Sequence, residues 1–261
     1  MKVIKIKSIN NSKRHARLLQ KNILIKNIKI FKNLRTNIKR CYGRSASTGH
    51  ITVWHKQRGK KYLYRPIIKS NEKAKSVIIG VSYDSNRTAL TSINFDILKK
   101  KFFNDIYTKD TYIGNIINRI DSKSEFRNGF RLLLKQIPTG TIINNIGNIN
   151  SKKSKYVKSA GNFAELIQKD TENAKLKLPS GKIIKHPITS LATIGSISNE
   201  QLRNIVIGKA GRNRNLGRRP IVRGVAMNPV DHPHGGRTNG GRPSVTPWGL
   251  PTKNGFKLKK K

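Results

Sequence analysis

Apolar residues in the first half of the chain recur in short β-branched or aromatic runs, each followed by polar or turn-forming residues. Runs of this length and composition predict strands, and their spacing of roughly ten residues is typical of a small antiparallel barrel. A turn is predicted after the third run, at Asp84, Ser85, Asn86 and Arg87. The predicted strands are 51–54, 62–68 (interrupted by Pro66), 76–83, 89–98 and 102–107.

A second set of short runs follows residue 137 and predicts another small barrel. Pro179, Ser180 and Gly181 predict a tight hairpin between two of its strands. The runs are 141–146, 161–169, 174–178, 182–185 and 191–197. The pattern predicts no long helix between the arms, and we expect a mostly β fold of two barrels. The domains predicted are 1–40, a basic N-terminal arm; 41–130, the first barrel; 131–200, the second barrel; and 201–261, an extended C-terminal arm.

Net charge is the global property of the chain that most narrows the possible classes of function. Its 261 residues contain 55 Lys and Arg against 12 Asp and Glu, a formal net charge of +43. Eleven of the twelve acids lie from Glu72 to Glu200, and only Asp231 follows, so both ends are almost purely cationic. Such a field attracts polyanions and excludes acidic proteins and most metabolic enzymes. Nucleic acid is favoured over membrane because no segment predicts a long amphipathic helix.

Other composition features exclude further classes. One Cys permits no internal disulfide or Cys-rich zinc site, and no apolar run approaches the ~20 residues of a membrane helix. The N-terminus lacks the apolar region of a secretory signal and does not resemble an organellar presequence. Asn and Ile make up about a quarter of the chain, well above ordinary usage. Their codons are AT-rich, which favours an organellar gene or an AT-biased nuclear genome.

The C-terminal segment interleaves glycine with cations. Residues 208–220, GKAGRNRNLGRRP, carry almost no apolar side chains to pack against protein. Glycine allows close backbone approach, and arginine forks bind phosphates or stack on bases, so this stretch predicts an RNA-contacting thread. Residues 253–261 form a short basic tail of the same kind. Neither a P-loop nor a dinucleotide-binding glycine motif is present.

The densest cluster of polar side chains lies in residues 226–236, AMNPVDHPHGG. Three interpretations compete. A metal site lacks further ligands, and acid–base chemistry rests only on the ordinary titration of histidine. An RNA-embedded loop is favoured, in which Pro229 and Pro233 stiffen the backbone while Asn228, His232 and His234 face RNA.

Isolated aromatic and histidine residues admit simpler interpretations. Because His50 and His55 bracket a predicted strand at a spacing of five, they are expected on opposite faces, contacting solvent or RNA rather than a metal. Trp54, in the middle of that strand, is expected in the core in preference to an RNA-stacking position. Trp248 lies in a non-globular stretch and is expected to contact RNA or to pack at the base of the arm.

Several motifs, in order, resemble the universal large-subunit ribosomal protein two family of bacterial and organellar type. Residues 224–236, GVAMNPVDHPHGG, resemble its signature, and the similarity extends over roughly residues 35–256. The other matching segments are 43–44, 49–52, 83–89, 137–141, 158–161, 178–181, 192–195, 208–211, 218–224 and 245–249. The sequence departs from the family at Arg237, where a third glycine is usual. The similarity is also weak over residues 99–129 and in the N-terminal arm. The family's glycine-rich stretch is only partly kept, at 57–59, and the basic C-terminal tail is short.

The resemblance implies an OB-type barrel followed by an SH3-like barrel, with basic extensions penetrating RNA. It implies a non-enzymatic constituent of the large ribosomal subunit that binds its RNA near the peptidyl-transferase centre and supports subunit association, tRNA binding and translation. Asp231, His232 and His234 would lie nearest that centre, with His232 organising RNA rather than acting as a base. The expected RNA contacts are Arg44, His50, Arg87, Lys209, Arg212, Arg214, Arg218, Arg219, Arg223, Asn228, His232 and His234.

The expected partners are large-subunit RNA, neighbouring ribosomal proteins and small-subunit contacts at the intersubunit bridge, with no membrane. No cofactor is expected beyond Mg²⁺ held by the RNA. The mitochondrial matrix is the favoured location, with the plastid as the alternative. Two other function classes stay open: a metal- or His-dependent RNA hydrolase, in which Asp231 would lack a partner carboxylate, and a free chromatin-like protein or RNA chaperone.

Overall fold

The computed structural model describes residues 2–20, 24–25, 29–37, 42–67, 74–120, 125–148, 154–236 and 243–252. Contacts divide the chain into two compact units. The first unit comprises residues 1–40 and 61–212, and the second comprises 41–60 and 213–261. Because the second unit draws on both sides of the barrels in sequence, the four-part division at residues 40, 130 and 200 stays a prediction. The basic tail 253–261 and Arg237 lie outside the described residues.

The first unit is built from short strands. They are β1 (Val3–Lys5), β2 (Arg17–Leu19), β3 (Thr36–Asn37), β4 (Leu63–Tyr64), β5 (Ala74–Ser82), β6 (Thr91–Asp96), β7 (Lys101–Ile106), β8 (Ile116–Arg119), β9 (Arg131–Leu133), β10 (Ile142–Gly147), β11 (Ala164–Lys169), β12 (Asn173–Lys177), β13 (Ile183–Pro187) and β14 (Leu191–Ile194). Helical segments are few among the described residues. They are three 3₁₀ turns at Lys29–Leu34, Glu200–Asn204 and Gly224–Ala226, and one α-helix, α1 (Ala210–Asn215).

Ten of these strands form one continuous sheet in the described part of the chain. Its order is β13-β12-β11-β10-β14-β9-β8-β5-β6-β7, and every neighbouring pair is antiparallel except β8 and β9. Strands β5–β8 belong to the OB-type barrel and β9–β14 to the SH3-like barrel, so the predicted mostly β fold is confirmed. Two small antiparallel pairs, β1–β2 and β3–β4, stand apart from this sheet.

The hydrophobic core is shared between the two barrels. Ile78 and Ile117 from the first barrel join one buried cluster with Leu132, Ile143 and Leu176 from the second. Strand β5 shows how the sequence builds this core, because Ala74, Ser76 and Ile78 on one side of the strand are buried. Alternation of this kind orients one face of a strand inward, and it occurs here within one of the β-branched runs from which the barrels were predicted.

Two arginines are buried where the barrels meet. Arg119 of β8 and Arg131 of β9 are register partners, and they are only 1% and 7% exposed. Arg119 donates from Nη2 to the Asp105 carboxylate at 2.7 Å, and its guanidinium lies 4.3 Å from the centroid of the Phe103 ring. Burial lowers the pKa of Arg131, and repulsion from Arg119 adds to that effect while Asp105 opposes it. Asp105 therefore partly balances two buried cations.

Both turns predicted from sequence are confirmed. Asp84 is fully buried, and its Oδ1 accepts the backbone N–H of Asn86 at 2.8 Å. At the hairpin following β12, Leu178 donates its N–H to the carbonyl of Lys182 at 2.9 Å, and Gly181 has a φ of +81°. Local side-chain chemistry was sufficient at these positions, because each turn is closed by hydrogen bonds within a few residues.

The strand prediction for residues 51–54 is wrong. The backbone N–H groups of Thr52 and Val53 both donate to the carbonyl of Gly43, at 2.8 and 3.0 Å, so the segment closes a loop instead of joining a sheet. A Cβ at Gly43 would lie 2.4 Å from the Val53 carbonyl oxygen, and the φ of Gly43 is +76°. Only glycine fits there. The expectation that His50 and His55 project from opposite faces of this strand falls with it.

Other strand assignments also differ from prediction. The run at 62–68 contributes only Leu63–Tyr64, since Pro66 has no N–H to donate to a ladder; residue 68 lies outside the described range. Strands β8 and β9 were not predicted, because each is four residues or fewer and each ends or begins with an arginine that looks solvated in sequence. Within the described ranges, no helix is long and apolar enough to cross a membrane.

Candidate nucleic-acid interface

The second unit is strongly cationic. Residues 41–60 and 213–261 contain fifteen Lys and Arg and a single carboxylate, Asp231. The described side chains of Arg214, Arg218, Arg219 and Arg223 are all exposed. Guanidinium groups displayed in this way are suited to charge-assisted hydrogen bonds with phosphate.

Backbone hydrogen bonds connect the two segments of this unit. His55 accepts the N–H of Arg219 at its carbonyl, at 2.9 Å, and its Nδ1 lies 3.1 Å from the Pro220 carbonyl oxygen. Gln57 donates its N–H to the Gly217 carbonyl at 2.8 Å. These bonds satisfy the main chain of an otherwise irregular segment and leave the arginine side chains at 218 and 219 directed to the surface.

Residues 227–236 form a closed loop, which we call the signature loop. Gly236 donates its N–H to the Met227 carbonyl at 3.2 Å, and His232 donates its N–H to the Asn228 carbonyl at 3.2 Å. The tip is Val230, which is 90% exposed, with Asp231 also exposed. His232 is only 7% exposed, so the loop presents its tip outward and keeps this histidine inside.

The interior of the signature loop is organised by its two histidines. His232 Nδ1 accepts the backbone N–H of His234 at 3.0 Å, which places the proton of the neutral imidazole on Nε2. The two rings have centroids 4.8 Å apart. A Cβ added at Gly224 would lie 2.6 Å from the His232 ring, so the glycine makes room for the imidazole. His232 therefore acts on loop conformation in this structure.

His234 connects the signature loop to a second hairpin at residues 244–252. Its Nε2 lies 2.9 Å from the Pro243 carbonyl oxygen and 3.2 Å from the Val245 nitrogen. The hairpin closes through the N–H of Thr246, which donates to the Leu250 carbonyl at 2.7 Å, and Trp248 lies at its tip. Both histidines predicted to face RNA thus make protein contacts, whereas Asn228 is exposed.

The remaining predicted RNA contacts fall into two groups. Arg44 and His50 are exposed on the 43–54 loop of the second unit, where Arg44 Nη1 donates to the Gly49 carbonyl at 3.0 Å. Arg87, Lys209 and Arg212 belong to the first unit. Lys209 is exposed, and the Arg212 guanidinium donates to the Ile207 carbonyl.

Arg87 is largely engaged inside the first unit. Its Nε donates to Asp84 Oδ2 at 3.1 Å, and its Nη2 donates to the Tyr64 hydroxyl at 3.0 Å and the Arg65 carbonyl at 3.2 Å. Its side chain is 22% exposed. Arg87 therefore stabilises the turn after β5, and only a fraction of its guanidinium faces solvent.

In the part of the chain that the structure describes, no three His, Cys, Asp or Glu side chains come together in a way that could hold a metal ion. In the signature loop the imidazole nitrogens His232 Nδ1 and His234 Nε2 lie within hydrogen-bond distance of backbone groups.

Comparison with known proteins decides the family. Residues 31–118 match the family model described as Ribosomal Proteins L2, RNA binding N-terminal domain, and residues 127–249 match Ribosomal Proteins L2, C-terminal domain. The chain belongs to the ribosomal protein L2 family. The predicted resemblance is confirmed, and it holds across both barrels and the signature loop.

The curated relatives of this L2 chain are named as proteins of the large ribosomal subunit. The large ribosomal subunit protein uL2m of Reclinomonas americana is 48% identical over 216 residues, covering 79% of this chain and 76% of the relative. The large ribosomal subunit protein uL2 of Orientia tsutsugamushi is 44% identical over 228 residues, covering 85% and 82%. That of Rickettsia felis is 44% identical over 229 residues with the same coverage.

Sequence reasoning missed the roles of two residues that shape this L2 interface. Trp54 was predicted to be core, but it is 56% exposed and packs edge-to-face on Trp248, which is 66% exposed. His55 was read as a surface residue, yet it holds Pro220 and has a φ of +58°. Gly43 and Gly49, which bracket the loop before Trp54, were the available signal that this segment turns instead of pairing.

Proposed function

We propose that this protein is a structural constituent of the large ribosomal subunit that binds large-subunit RNA near the peptidyl-transferase centre. The observation that carries the proposal is the series of exposed arginines in the second unit. This unit contains fifteen Lys and Arg and a single carboxylate. Membership of the L2 family supports it, since one matching domain is described as RNA binding. The folded barrels provide a platform, and the cationic unit docks into folded RNA.

Phosphate contacts would dominate the affinity. Each Lys or Arg that neutralises a phosphate releases counterions, so binding weakens as salt rises. Arg218 and Arg219 are suited to this role because their backbone is held by the 55–60 segment while their side chains are exposed. No resident cofactor is proposed, and Mg²⁺ is expected only as ions held by the RNA.

The reaction at the peptidyl-transferase centre belongs to RNA in this proposal, and the protein is not an enzyme. His232 is buried and holds the signature loop through His234, which supports an organising role over that of a general base. Asp231 is exposed at the tip, where its carboxylate is available to accept a hydrogen bond from a base amino group. Tip contacts of this kind would support tRNA placement and subunit association, including contacts at the intersubunit bridge.

A salt titration tests the RNA-binding proposal. The full chain is bound to transcribed large-subunit RNA over a range of salt concentrations, and Arg218→Ala and Arg219→Ala are compared with the parent. Each should reduce the slope of log affinity against log salt by about one. Arg127→Ala is the matched control, since Arg127 is exposed in the first unit and paired with Glu125 at 2.5 Å. Slopes equal to the control's would contradict the proposal.

Two further measurements address chemistry and location. With His232→Gln, we expect weaker assembly of large subunits, whereas normal assembly with peptide transfer slowed by orders of magnitude would refute the organising role. We also propose a mitochondrial location, in the matrix as part of the mitochondrial ribosome, which the uL2m relative and the excess of Asn and Ile, whose codons are AT-rich, support. Peptide mass analysis of fractionated organelles distinguishes a mitochondrial from a plastid location. A high-salt wash of the ribosomes distinguishes a stable component of the large subunit, which is retained, from a loosely bound RNA chaperone, which is released.

A further inference from the structure

The most exposed aromatic surface of the second unit is formed by its two tryptophans. Trp54 and Trp248 lie with ring centroids 5.7 Å apart at an interplanar angle of 60°, in an edge-to-face arrangement. Both remain more than half exposed, at 56% and 66%. Exposed indoles are costly in water and are usually covered by a partner, so this pair requires an explanation.

Each tryptophan is held by a tight backbone turn. The 43–54 loop closes through the Gly43 carbonyl, which accepts from Thr52 Oγ1 at 3.2 Å in addition to two backbone N–H groups. Trp248 occupies the turn in which Gly249 donates its N–H to the Thr246 carbonyl at 2.9 Å, with Gly249 at a φ of +78°. The backbone that carries each ring is therefore ordered before any partner arrives, which reduces the entropy lost on binding.

The surroundings of Trp54 are cationic and polar. One shallow cavity of about 580 Å³ is lined by Arg44, Thr48, Gly49, His50, Ile51 and Trp54. Arg44 is tethered to the Gly49 carbonyl at 3.0 Å, so its charge stays beside the indole. The unit as a whole carries its fifteen cations against one carboxylate. An acidic polymer fits this field better than an ordinary protein surface does.

We infer that Trp54 and Trp248 form a stacking platform for an unpaired nucleobase of the RNA. An indole face flanked by a guanidinium and an imidazole accepts any base by stacking while the cations hold the adjoining phosphates. Trp248 packs edge-to-face against Trp54, so the two rings form one surface. This inference rests on the proposed RNA-binding function and adds to it the chemistry of one contact: a base outside a helix.

The chain provides its own reporter, because it contains two tryptophans in total and both belong to the platform. Indole fluorescence excited selectively over tyrosine therefore reports on this surface alone. The probe is a short RNA hairpin carrying one unpaired adenine, and the control is the same hairpin fully paired. We expect the unpaired adenine to quench tryptophan emission strongly and the paired RNA to quench it weakly at equal occupancy.

Substitutions separate stacking from packing. Trp54→Leu should weaken binding of the bulged hairpin by about 5- to 150-fold and leave the paired hairpin nearly unaffected. Trp54→Phe should restore most of the affinity, because an aromatic face is retained. Val53→Ala, on the same loop and 49% exposed but outside the cavity lining, is the matched control and should change neither affinity.

The outcomes distinguish this inference from the proposed function. Binding of both hairpins with equal affinity and unchanged emission overturns the platform while RNA binding stands. Failure to bind either RNA overturns the RNA-binding function itself. If Trp54→Leu spares the bulged hairpin but weakens retention of a neighbouring ribosomal protein in reconstituted subunits, the tryptophans are a protein-docking surface and the inference is wrong.

Discussion

The imidazole Nδ1 of His55 lies 3.1 Å from the carbonyl oxygen of Pro220, 165 positions later in the chain. For that carbonyl to accept, Nδ1 must carry the proton, so the bond also selects the tautomer. Together with the bond from Arg219 N–H to the His55 carbonyl at 2.9 Å, it anchors the arginine-rich segment to the 43–60 region. The cationic unit is therefore a tertiary structure and not a simple tail.

The contribution of that anchor can be measured. His55→Ala removes the side-chain bond while keeping the backbone bond, and we expect the second unit to lose about 1 kcal/mol of local stability. Tryptic cleavage after Arg218 should accelerate, since opening of the segment exposes that bond. His50→Ala, on the exposed side of the same region, should leave the cleavage rate unchanged. Equal rates for His55→Ala and the parent would contradict the anchoring role.

Gly224 is expected to control the conformation of the signature loop. In Gly224→Ala, the added Cβ would meet the buried His232 ring at 2.6 Å, and such overpacking costs about 1–3 kcal/mol. We expect fewer large subunits that contain the protein, measured by sedimentation. Gly211→Ala is the control, because a Cβ there meets nothing within 4 Å and lies in α1. A Gly224→Ala protein that incorporates like the control would show that His232 needs no such space.

Asp105 is expected to be essential for the junction of the barrels. Asp105→Asn leaves Arg119 and Arg131 buried without its charge, and removal of one partner from a buried ion pair costs about 3–5 kcal/mol. The midpoint of urea unfolding should fall sharply. Asp110→Asn makes the same change of charge at an exposed position with a φ of +59°, which asparagine tolerates, so its midpoint should be near that of the parent. Similar midpoints for the two variants would argue against a buried pair.

The stability of the SH3-like barrel should depend on His186. Burial lowers the pKa of His186 below its usual value of 6.5, and Lys155 adds repulsion, while a hydrogen bond with the Pro187 backbone opposes both. The unfolded chain therefore binds a proton more readily than the folded chain does. The free energy of unfolding is retained at pH values above the pKa of the unfolded state, and it decreases as the pH falls through and below that pKa. His186→Phe should flatten the loss of unfolding free energy between about pH 8 and about pH 5. His15→Phe, at an exposed position, should keep it; an unchanged profile in His186→Phe would exclude this residue as the source.

Much of the barrel architecture could be predicted because its signals are local. The run that became β5 alternates between buried and less buried residues from Ala74 to Ile79, and Asp84 forms its turn with Asn86, two positions away. The strands that were not predicted are those whose burial depends on residues elsewhere in the fold. Arg119 looks like a solvated cation in sequence, and its burial depends on Asp105 and Phe103 in the neighbouring region of the fold.

The candidate interface was predicted in its charge and its signature motif, but not in the direction of its side chains. His232 was expected to face RNA and is buried, while Trp54 was expected in the core and is exposed. In irregular loops no periodicity assigns an inner face, since orientation follows from which distant backbone groups close the loop.

The amino-acid sequence on its own determined the polycationic character, the two β modules and the family, because charge, regularly spaced β-branched runs and contiguous motifs are properties of neighbouring residues. Only the tertiary structure decided that residues 41–60 join the C-terminal segment, that His232 lies inside its loop and that two tryptophans meet at the surface. The physical reason is that these features depend on hydrogen bonds and packing between residues far apart in the chain, such as His55 with Pro220, for which a linear pattern carries no signal.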